Sequence, residues 1–191
     1  MDIFQKITEA DHQILLYIQE HLRFDSVTPL MEFSSFIVNA GIFWIILCLV
    51  LIFFKRTRMI GITALTSILF CFLINNVIIK NVVARARPFD TFNDLIPLIA
   101  KPRDYSFASG HTTCSFAAAG VLMRFLNKPL AVITLLFAAL VAYSRLYLGV
   151  HYPTDVLCGF VIGFCGSLLV YHFFSKRFNL EKYKLANRKN K

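Results

Sequence analysis

The sequence predicts an all-α protein built as an integral membrane helical bundle. Hydrophobic residues make up 57% of the chain and the mean hydropathy is +0.63, which is too apolar for an ordinary soluble domain. These residues fall into long runs, several of which approach the roughly 20 residues that cross a bilayer core. All five cysteines lie inside the runs, which is typical of packing residues and not of disulfides or metal ligands. We expect one membrane domain over 1–175 and a basic tail over 176–191.

Residues 1–24 predict a helix that lies at the membrane interface. Ile3, Ile7, Ile14 and Ile18 recur at helical spacing, and polar residues such as Asp11 interrupt them. A helix of this kind favours the surface of a bilayer over its core. We therefore expect the first helix to lie along the membrane and not to cross it.

Five transmembrane helices are predicted within a core that covers residues 30–174. The spans are 30–54, 59–79, 109–126, 130–148 and 153–174. The third is only marginally long enough to cross, so its first residues should lie just below the membrane surface. A polar connection over 81–105, rich in Arg, Asp and Pro, separates the second span from the third.

The distribution of charge predicts which face is cytoplasmic. If spans alternate in direction, the 55–58 turn, the 127–129 turn and the C-terminal tail share one face. That face carries 12 of the 20 basic residues and a single acid, Glu181. The positive-inside rule then makes the protein a multi-pass cell-membrane protein with a cytoplasmic C-terminus. The basic tail should contact anionic inner-leaflet lipid, and no nucleic-acid partner is expected.

Three polar clusters then share the opposite, extracytoplasmic face. They are residues 80–88, 106–112 and 143–155. Lys80, Arg87 and Arg145 bring three cations to this face. Residues 109–111 open a helix, whose free N–H groups and dipole favour an anion. The combination predicts a phosphate-binding site.

Two histidines in these clusters could perform the chemistry. His151 and Asp155 are four residues apart, and Pro153 favours a helix start that brings their side chains together. A carboxylate that holds one imidazole nitrogen leaves the other free to attack phosphorus. His111 is then left to protonate the leaving oxygen.

The three clusters together resemble the three-part signature of the type 2 phosphatidic acid phosphatase superfamily. The resemblance covers roughly residues 75–174 and is specific, because three motifs occur in order with matching spacing. One position departs from the family pattern: Ala108 stands where proline is usual, so we expect a less rigid turn there. The matching residues are Lys80-x6-Arg87-Pro88, Ser109-Gly110-His111 and Ser144-Arg145-x5-His151-x3-Asp155.

The resemblance implies a six-helix bundle that removes phosphate from a membrane lipid without a metal or other cofactor. It implies His151 as the nucleophile that forms a phosphohistidine, Asp155 as its orienting group and His111 as the general acid. It also implies that the phosphate is bound by Lys80, Arg87, Ser109, Gly110 and Arg145. We expect undecaprenyl pyrophosphate as the substrate, with phosphatidylglycerophosphate or phosphatidate as alternatives.

Other functions are compatible with part of the pattern. Two His and one Asp could form a metal triad, but three nearby cations would repel a dication. Vanadium-dependent haloperoxidases share the signature, but those enzymes are soluble and lack long apolar spans. A lipid binder or transporter that kept the pocket without catalysis is the remaining alternative.

Several polar residues have simpler interpretations. Arg85, Lys101 and Arg103 are interpreted as side chains that reach toward lipid head groups. Interhelical hydrogen bonding is the preferred account of Asn75 and Asn76. The remaining ambiguous residues are Glu32, which either reaches the surface or lines the substrate entrance, and three histidines interpreted as structural: His12, His21 and His172.

Overall fold

The computed structural model describes residues 2–184, and every regular element in that range is a helix. This confirms the all-α prediction. The main helices are α1 (Ile3–Tyr17), α2 (Thr28–Ile37), α3 (Ile42–Phe53), α4 (Arg58–Phe72), α5 (Pro88–Thr91), α6 (Gly110–Leu122), α7 (Lys128–Tyr147) and α8 (Pro153–Arg177).

Helix α1 is amphipathic and has one buried side. Its first turn is closed by a capping box in which Asp2 and Gln5 bond each other's backbone N–H groups. Ile3 and Phe4 are exposed, whereas Asp11 and Leu15 are buried against the rest of the protein. The helix continues through a widened turn, Ile18–Leu22, and so ends close to the predicted boundary.

Within residues 2–184, three helical stretches are long and apolar enough to cross a membrane, and a bent pair would make a fourth. The three stretches are Arg58–Thr91, α7 and α8. The bent pair is α2 and α3, whose axes differ by 46°. The chain turns between them at Asn39–Gly41, where Ala40 and Gly41 both have positive φ. The predicted span 30–54 is therefore two helices separated by a kink.

Helix α4 ends in an irregular segment that carries the first polar cluster. After Phe72 the helix widens over Leu73–Ile79 and then regains regular geometry over Lys80–Val83. Wider turns of this type often occur at functional positions in helices. They place Lys80 at the polar end of the bundle.

Helix α6 is the central helix of the bundle. It has 13 residues, fewer than the predicted 109–126 span, and it packs against α4, α7 and α8. Its sequence is rich in Ala, Ser, Thr and Gly, and small residues of α8 face it. A Cβ on Gly163 would lie 2.4 Å from the carbonyl oxygen of Thr113, and one on Gly159 would lie 2.8 Å from that of Ser109. The two backbones therefore approach as closely as glycine allows.

The end of the described chain folds back onto the bundle. Helix α8 runs to Arg177, beyond the predicted end of the last span, and a short 3₁₀ helix follows at Leu180–Tyr183. Leu180 is buried in the main hydrophobic core. The first part of the predicted tail is thus packed, and residues 185–191 lie outside the described range.

Replacing Gly163 with Val should destabilise the protein. The added side chain must push α8 away from the α6 backbone, and overpacking of this kind costs about 1–3 kcal/mol. We expect a lower Tm in detergent, measured by thermal unfolding. Val161→Leu on the exposed side of α8 is the control and should leave the Tm unchanged. An unchanged Tm in Gly163→Val would contradict the close α6–α8 contact.

Candidate active site

The three polar clusters meet at one cavity of about 1120 Å³. His111 and His151 both line it. Among the described residues, three basic side chains from the clusters also line it, and all three are buried: Lys80, Arg87 and Arg145.

Backbone hydrogen bonds hold the clusters against one another. The N–H of Ser106 donates to the carbonyl oxygen of Arg85 over 2.9 Å, which joins the second cluster to the first. The N–H of Ser109 donates to the carbonyl oxygen of Asp155 over 3.1 Å, which joins the second to the third. The convergence therefore does not depend on flexible side chains alone.

The other part of the cavity is apolar. Helices α3 and α4 line it with aliphatic and aromatic side chains, and the kink at Asn39–Gly41 lies on its wall. Glu32 also lines the cavity, which agrees with the second of its two interpretations. A cavity with a cationic end and an apolar side matches an amphiphile with an anionic head. The apolar residues that α3 and α4 contribute to the cavity wall are Ile45, Leu65, Ile68, Leu69 and Phe72.

His151 lies in the loop between α7 and α8 and is almost completely buried. Its Nδ1 lies 3.5 Å from Oδ2 of Asp155, an ion-pair distance longer than a normal hydrogen bond. Its Nε2 lies 3.4 Å from Nη1 of Arg87. Because a guanidinium can only donate, Nε2 presents its lone pair and the proton belongs on Nδ1.

The surroundings of His151 favour its neutral form. Burial lowers the pKa of His151 to about 4, the contact with Asp155 opposes this shift, and the charges of Arg87 and Arg145 add to it. The imidazole is therefore neutral near pH 7. A neutral imidazole whose Nε2 carries no proton can act as a nucleophile once a substrate displaces the contact with Arg87.

Asp155 lies behind His151, outside the cavity, and is held by several donors. Oδ2 accepts from the hydroxyl of Ser106 over 2.5 Å and from the N–H of Tyr152 over 2.9 Å. Oδ1 accepts from Nη1 of Arg85 over 2.9 Å. The interpretation of Arg85 as a side chain that reaches for head groups is therefore wrong, because it forms an ion pair with a buried carboxylate.

Arg145 is a buried cation without an acidic partner in the described part of the chain. One guanidinium nitrogen bonds the hydroxyl of Ser35 on α2, while Nε has no hydrogen-bond partner within residues 2–184. No carboxylate of these residues lies within ion-pair distance of it. A buried charge left unpaired costs free energy, so this arrangement favours a bound anion.

Lys80 and Arg87 differ from Arg145, because both bind Asp104. Nζ of Lys80 lies 2.5 Å from Oδ2 of Asp104, and Nη2 of Arg87 lies 2.6 Å from Oδ1. Partial burial alone would raise the pKa of Asp104, but the hydrogen bonds and charges of Lys80 and Arg87 lower it to about 2. The carboxylate therefore stays ionised and occupies the two cations that a phosphate would need.

The start of α6 brings Gly110 and His111, but not Ser109, to the cavity wall. Ser109 is buried and caps the helix, since its hydroxyl oxygen accepts from Oγ1 of Thr112 over 3.0 Å. Its direct contact with phosphate stays a prediction.

Asn75, in the widened segment that follows α4, supports this turn. Its side-chain Nδ2 donates to the carbonyl oxygen of Ala108 over 3.1 Å, which confirms the hydrogen-bonding interpretation of Asn75. Asn76 accepts from the same Nδ2 over 3.1 Å and lines the cavity. The turn that replaces the family's proline is thus held by a side chain of another helix.

Comparison with known proteins supports the resemblance inferred from the motifs. The family model described as the PAP2 superfamily matches residues 59–179, which is more than half of the chain and contains all three clusters.

The chain belongs to the PAP2 superfamily.

Relatives and solved structures within PAP2 are similar over much of the chain. An undecaprenyl-diphosphatase of Sulfolobus acidocaldarius is 40% identical over 63% of this chain and 58% of its own length. A lipid A 4'-phosphatase of Porphyromonas gingivalis is 32% identical over 78% of this chain and 66% of its own length. The chain thus spans about three fifths to two thirds of these relatives.

The fold is that of a solved PAP2 protein. The crystal structure of a transmembrane PAP2-type phosphatidylglycerolphosphate phosphatase from Bacillus subtilis has a TM-score of 0.75 and 29% identity to this chain. The match covers 90% of this chain and 87% of that one. The arrangement of helices around the cavity is therefore a PAP2 arrangement.

Sequence reasoning missed four side chains at this PAP2 site: Asp104, Ser35, Ser106 and Arg85. Asp104 could have been found from the sequence, because a group of buried cations requires a counter-ion and Asp104 is the acid nearest in sequence to the second cluster. Nothing in the sequence pointed to Ser35 or Ser106, since a hydroxyl beside a span has many ordinary roles.

Replacing Asp104 with Asn should strengthen the binding of inorganic phosphate. The amide cannot compete as a carboxylate does for Lys80 and Arg87. Without phosphate the variant should have a lower Tm, because two buried cations lose their counter-ion. Thermal unfolding in detergent over a phosphate titration measures both effects, and phosphate should raise the Tm of the variant more than that of the wild type.

The difference in Tm between the wild type and Asp104→Asn, measured without phosphate, should also depend on pH. The pKa of Asp104 is lowered from 3.8 to about 2 in the folded protein, so its stabilising effect is complete above pH 4 and is lost as the pH falls toward 2. Asp90→Asn is the control, since Asp90 is exposed and forms no ion pair with residues 2–184. Equal phosphate affinity in wild type and Asp104→Asn would contradict the competition.

Proposed function

We propose that this protein is a membrane lipid phosphatase that works through a phosphohistidine. The observation that carries the proposal is that Arg145 is buried without an acidic partner among residues 2–184, at the wall of a cavity that two histidines also line. The cation provides a place for phosphate, and His151 presents a lone pair beside it. Family membership supports the same chemistry.

In the first step, Nε2 of His151 attacks the terminal phosphorus and the bond to the leaving oxygen breaks. His111 gives that oxygen a proton, so the leaving group departs neutral or with less charge. Lys80, Arg87 and Arg145 stabilise the charge on the phosphoryl oxygens, together with the N–H group of Gly110 at the start of α6.

In the second step, water attacks the phosphohistidine. His111 now accepts a proton from the water, and the P–N bond breaks to release inorganic phosphate and neutral His151. Asp155 keeps the proton of His151 on Nδ1 during both steps and stabilises the positive charge that develops on the ring. No metal and no other cofactor is needed for either step.

We propose undecaprenyl pyrophosphate as the substrate and undecaprenyl phosphate as the product. A relative that is 40% identical carries the name undecaprenyl-diphosphatase. The apolar wall formed by α3 and α4 gives a long isoprenoid chain a path from the membrane to the cationic end of the cavity.

Phosphatidylglycerophosphate or phosphatidate is the alternative substrate. The crystal structure of a protein named for phosphatidylglycerolphosphate shares this fold at a TM-score of 0.75, which favours that alternative. A binder or transporter of phosphorylated lipids without catalysis is the alternative from another class.

We also propose five membrane crossings with an extracytoplasmic active site. The crossings are α4, α6, α7, α8 and the bent pair α2–α3. A helix of 13 residues is about 20 Å long, short of the roughly 30 Å bilayer core, but α6 is surrounded by other helices and need not meet lipid along its whole length. The excess of basic residues on the opposite face supports this orientation.

Replacing His151 with Ala should abolish phosphate release, because it removes the proposed nucleophile. Asp155→Asn should keep lipid binding but lower kcat by about 10⁴-fold, as loss of an orienting Asp does elsewhere. The measurement is phosphate release by the purified protein in detergent from undecaprenyl pyrophosphate, phosphatidylglycerophosphate and phosphatidate. His172→Ala, an exposed histidine of α8, is the matched control.

Phosphate release from the same three lipids also distinguishes the proposed substrate and activity from their alternatives. Preference for the pyrophosphate supports the proposed substrate, whereas preference for either glycerolipid supports the alternative. Release from none of the three, or full activity in His151→Ala, would overturn the phosphatase proposal.

A cysteine placed at Lys101 should react with a thiol reagent that cannot cross membranes, whereas one placed at Lys184 should not. The two positions lie on opposite faces under the proposed orientation. Labelling of intact cells measures this, with the protein bearing only its native cysteines as the background. The reverse pattern would mean that the active site faces the cytoplasm.

A further inference from the structure

Arg85 connects the N-terminal helix to Asp155. Its Nη2 lies 2.8 Å from Oδ2 of Asp11 on α1, and its Nη1 lies 2.9 Å from Oδ1 of Asp155 on α8. The same Nη1 donates to Oγ1 of Thr154 over 2.7 Å. The guanidinium also stacks 3.7 Å above the ring of Tyr152. One side chain thus bridges two buried carboxylates in a fixed orientation.

Asp11 is positioned by the first turn of α8 as well as by Arg85. It is 2% exposed, and its Oδ1 accepts from the N–H of Thr154 over 3.0 Å. The hydroxyl of Thr154 bonds its Oδ2. Asp11 therefore caps the helix that carries Asp155, although it belongs to a helix some 140 residues earlier.

The bridge fixes which oxygen of Asp155 faces the nucleophile. Arg85 engages Oδ1, while Ser106 and Tyr152 engage Oδ2. Nδ1 of His151 lies next to Oδ2 at 3.5 Å. If Arg85 is removed, Oδ1 loses a charge-assisted hydrogen bond and the carboxylate can rotate away from the imidazole.

Docking of α1 does not require this bridge, because other contacts hold the helix and its continuation. Nε2 of His12 lies 2.9 Å from Asp94, and Nε2 of Gln19 donates to the carbonyl oxygen of Asp94 over 2.9 Å. Arg23 donates to the carbonyl oxygens of Tyr147 and Ile96. The buried ion pair between Asp11 and Arg85 thus has a role separable from anchoring.

We propose that Arg85 and Asp11 are positioning residues that hold Asp155 against His151. The inference rests on the proposed function, since it assigns to these residues the alignment of the nucleophile. Asp11 balances the charge of Arg85 and holds its guanidinium at Asp155. The interfacial helix is therefore part of the active-site support and not only a membrane contact.

The test uses the full chain in detergent with undecaprenyl pyrophosphate, phosphatidylglycerophosphate and phosphatidate as substrates. Arg85→Gln should lower kcat by about 10²-fold, a part of the effect of losing the orienting carboxylate itself, with KM changed by no more than about threefold. Asp11→Asn should lower kcat by about tenfold, and Arg85→Lys should recover part of the loss because it keeps the charge but not the planar fork.

Orthovanadate and inorganic phosphate give a readout that needs no turnover. Vanadate can form a bond to Nε2 of His151, whereas phosphate is held by the cations alone. Arg85→Gln should weaken vanadate binding by about tenfold while leaving phosphate binding within about twofold. The ratio of vanadate affinity to phosphate affinity therefore reports the alignment of the imidazole. Loss of a merely structural contact would change both affinities together.

Two controls separate positioning from docking and from charge. Asp94→Asn removes the partner of His12 without touching Asp11, and Glu9→Gln neutralises an exposed acid on the same helix. Both should keep the wild-type kcat and vanadate-to-phosphate ratio. If Arg85→Gln does not fold, Arg85→Lys and Asp11→Asn are compared with these controls by the same two measurements.

The outcomes of this test differ from those of the phosphatase test. Wild-type kcat and an unchanged vanadate-to-phosphate ratio in Arg85→Gln and Asp11→Asn would overturn the positioning role. An equal loss in Asp94→Asn would also overturn it, because the contacts would then only dock α1. A wild-type protein that releases phosphate from none of the three lipids contradicts the phosphatase proposal instead, and the vanadate-to-phosphate ratio still decides the role of Arg85.

Discussion

Positive charge held in a buried cavity is the constraint that explains most of this structure. Lys80, Arg87 and Arg145 are removed from water, and each would be costly there without an anion. Asp104 supplies one carboxylate to Lys80 and Arg87, while Arg145 has a hydroxyl and no carboxylate within the described residues. Within residues 2–184, two of the three buried cations thus share one carboxylate and the third has no acidic partner.

Close packing of α6 against α8 brings the distant polar clusters to that cavity. Gly159 and Gly163 let the two backbones approach within distances that any side chain would prevent. The hydrogen bond from the N–H of Ser109 to the carbonyl oxygen of Asp155 extends this contact to the end of the pair. A short central helix can therefore present its N-terminus, with the positive end of its dipole, directly at the cavity.

The support of His151 reaches further along the chain than the signature motifs. Asp155 receives donors from its own helix, from Ser106 and from Arg85, and Arg85 is held in turn by Asp11. Four segments thus determine the position of one carboxylate, which lies 3.5 Å from Nδ1 of His151. The amphipathic α1, which exposes Ile3 and Phe4 on its outer side, is joined to this network through Asp11.

By itself, the sequence determined the helical class, the apolar stretches and the two histidines and three cations that line the cavity, because periodicity, hydropathy and motif spacing are local properties. It also indicated an interfacial first helix, although it gave no reason to connect Asp11 to the site. Only the tertiary structure decided the partners: Asp104 as the counter-ion of Lys80 and Arg87, Arg85 as a bridge between carboxylates, and the kink that divides α2 from α3. The two ion-pair arrangements depend on which distant side chains become neighbours in the folded chain, and the kink depends on positive φ at Ala40 and Gly41. The local patterns of hydropathy and spacing indicate none of these features.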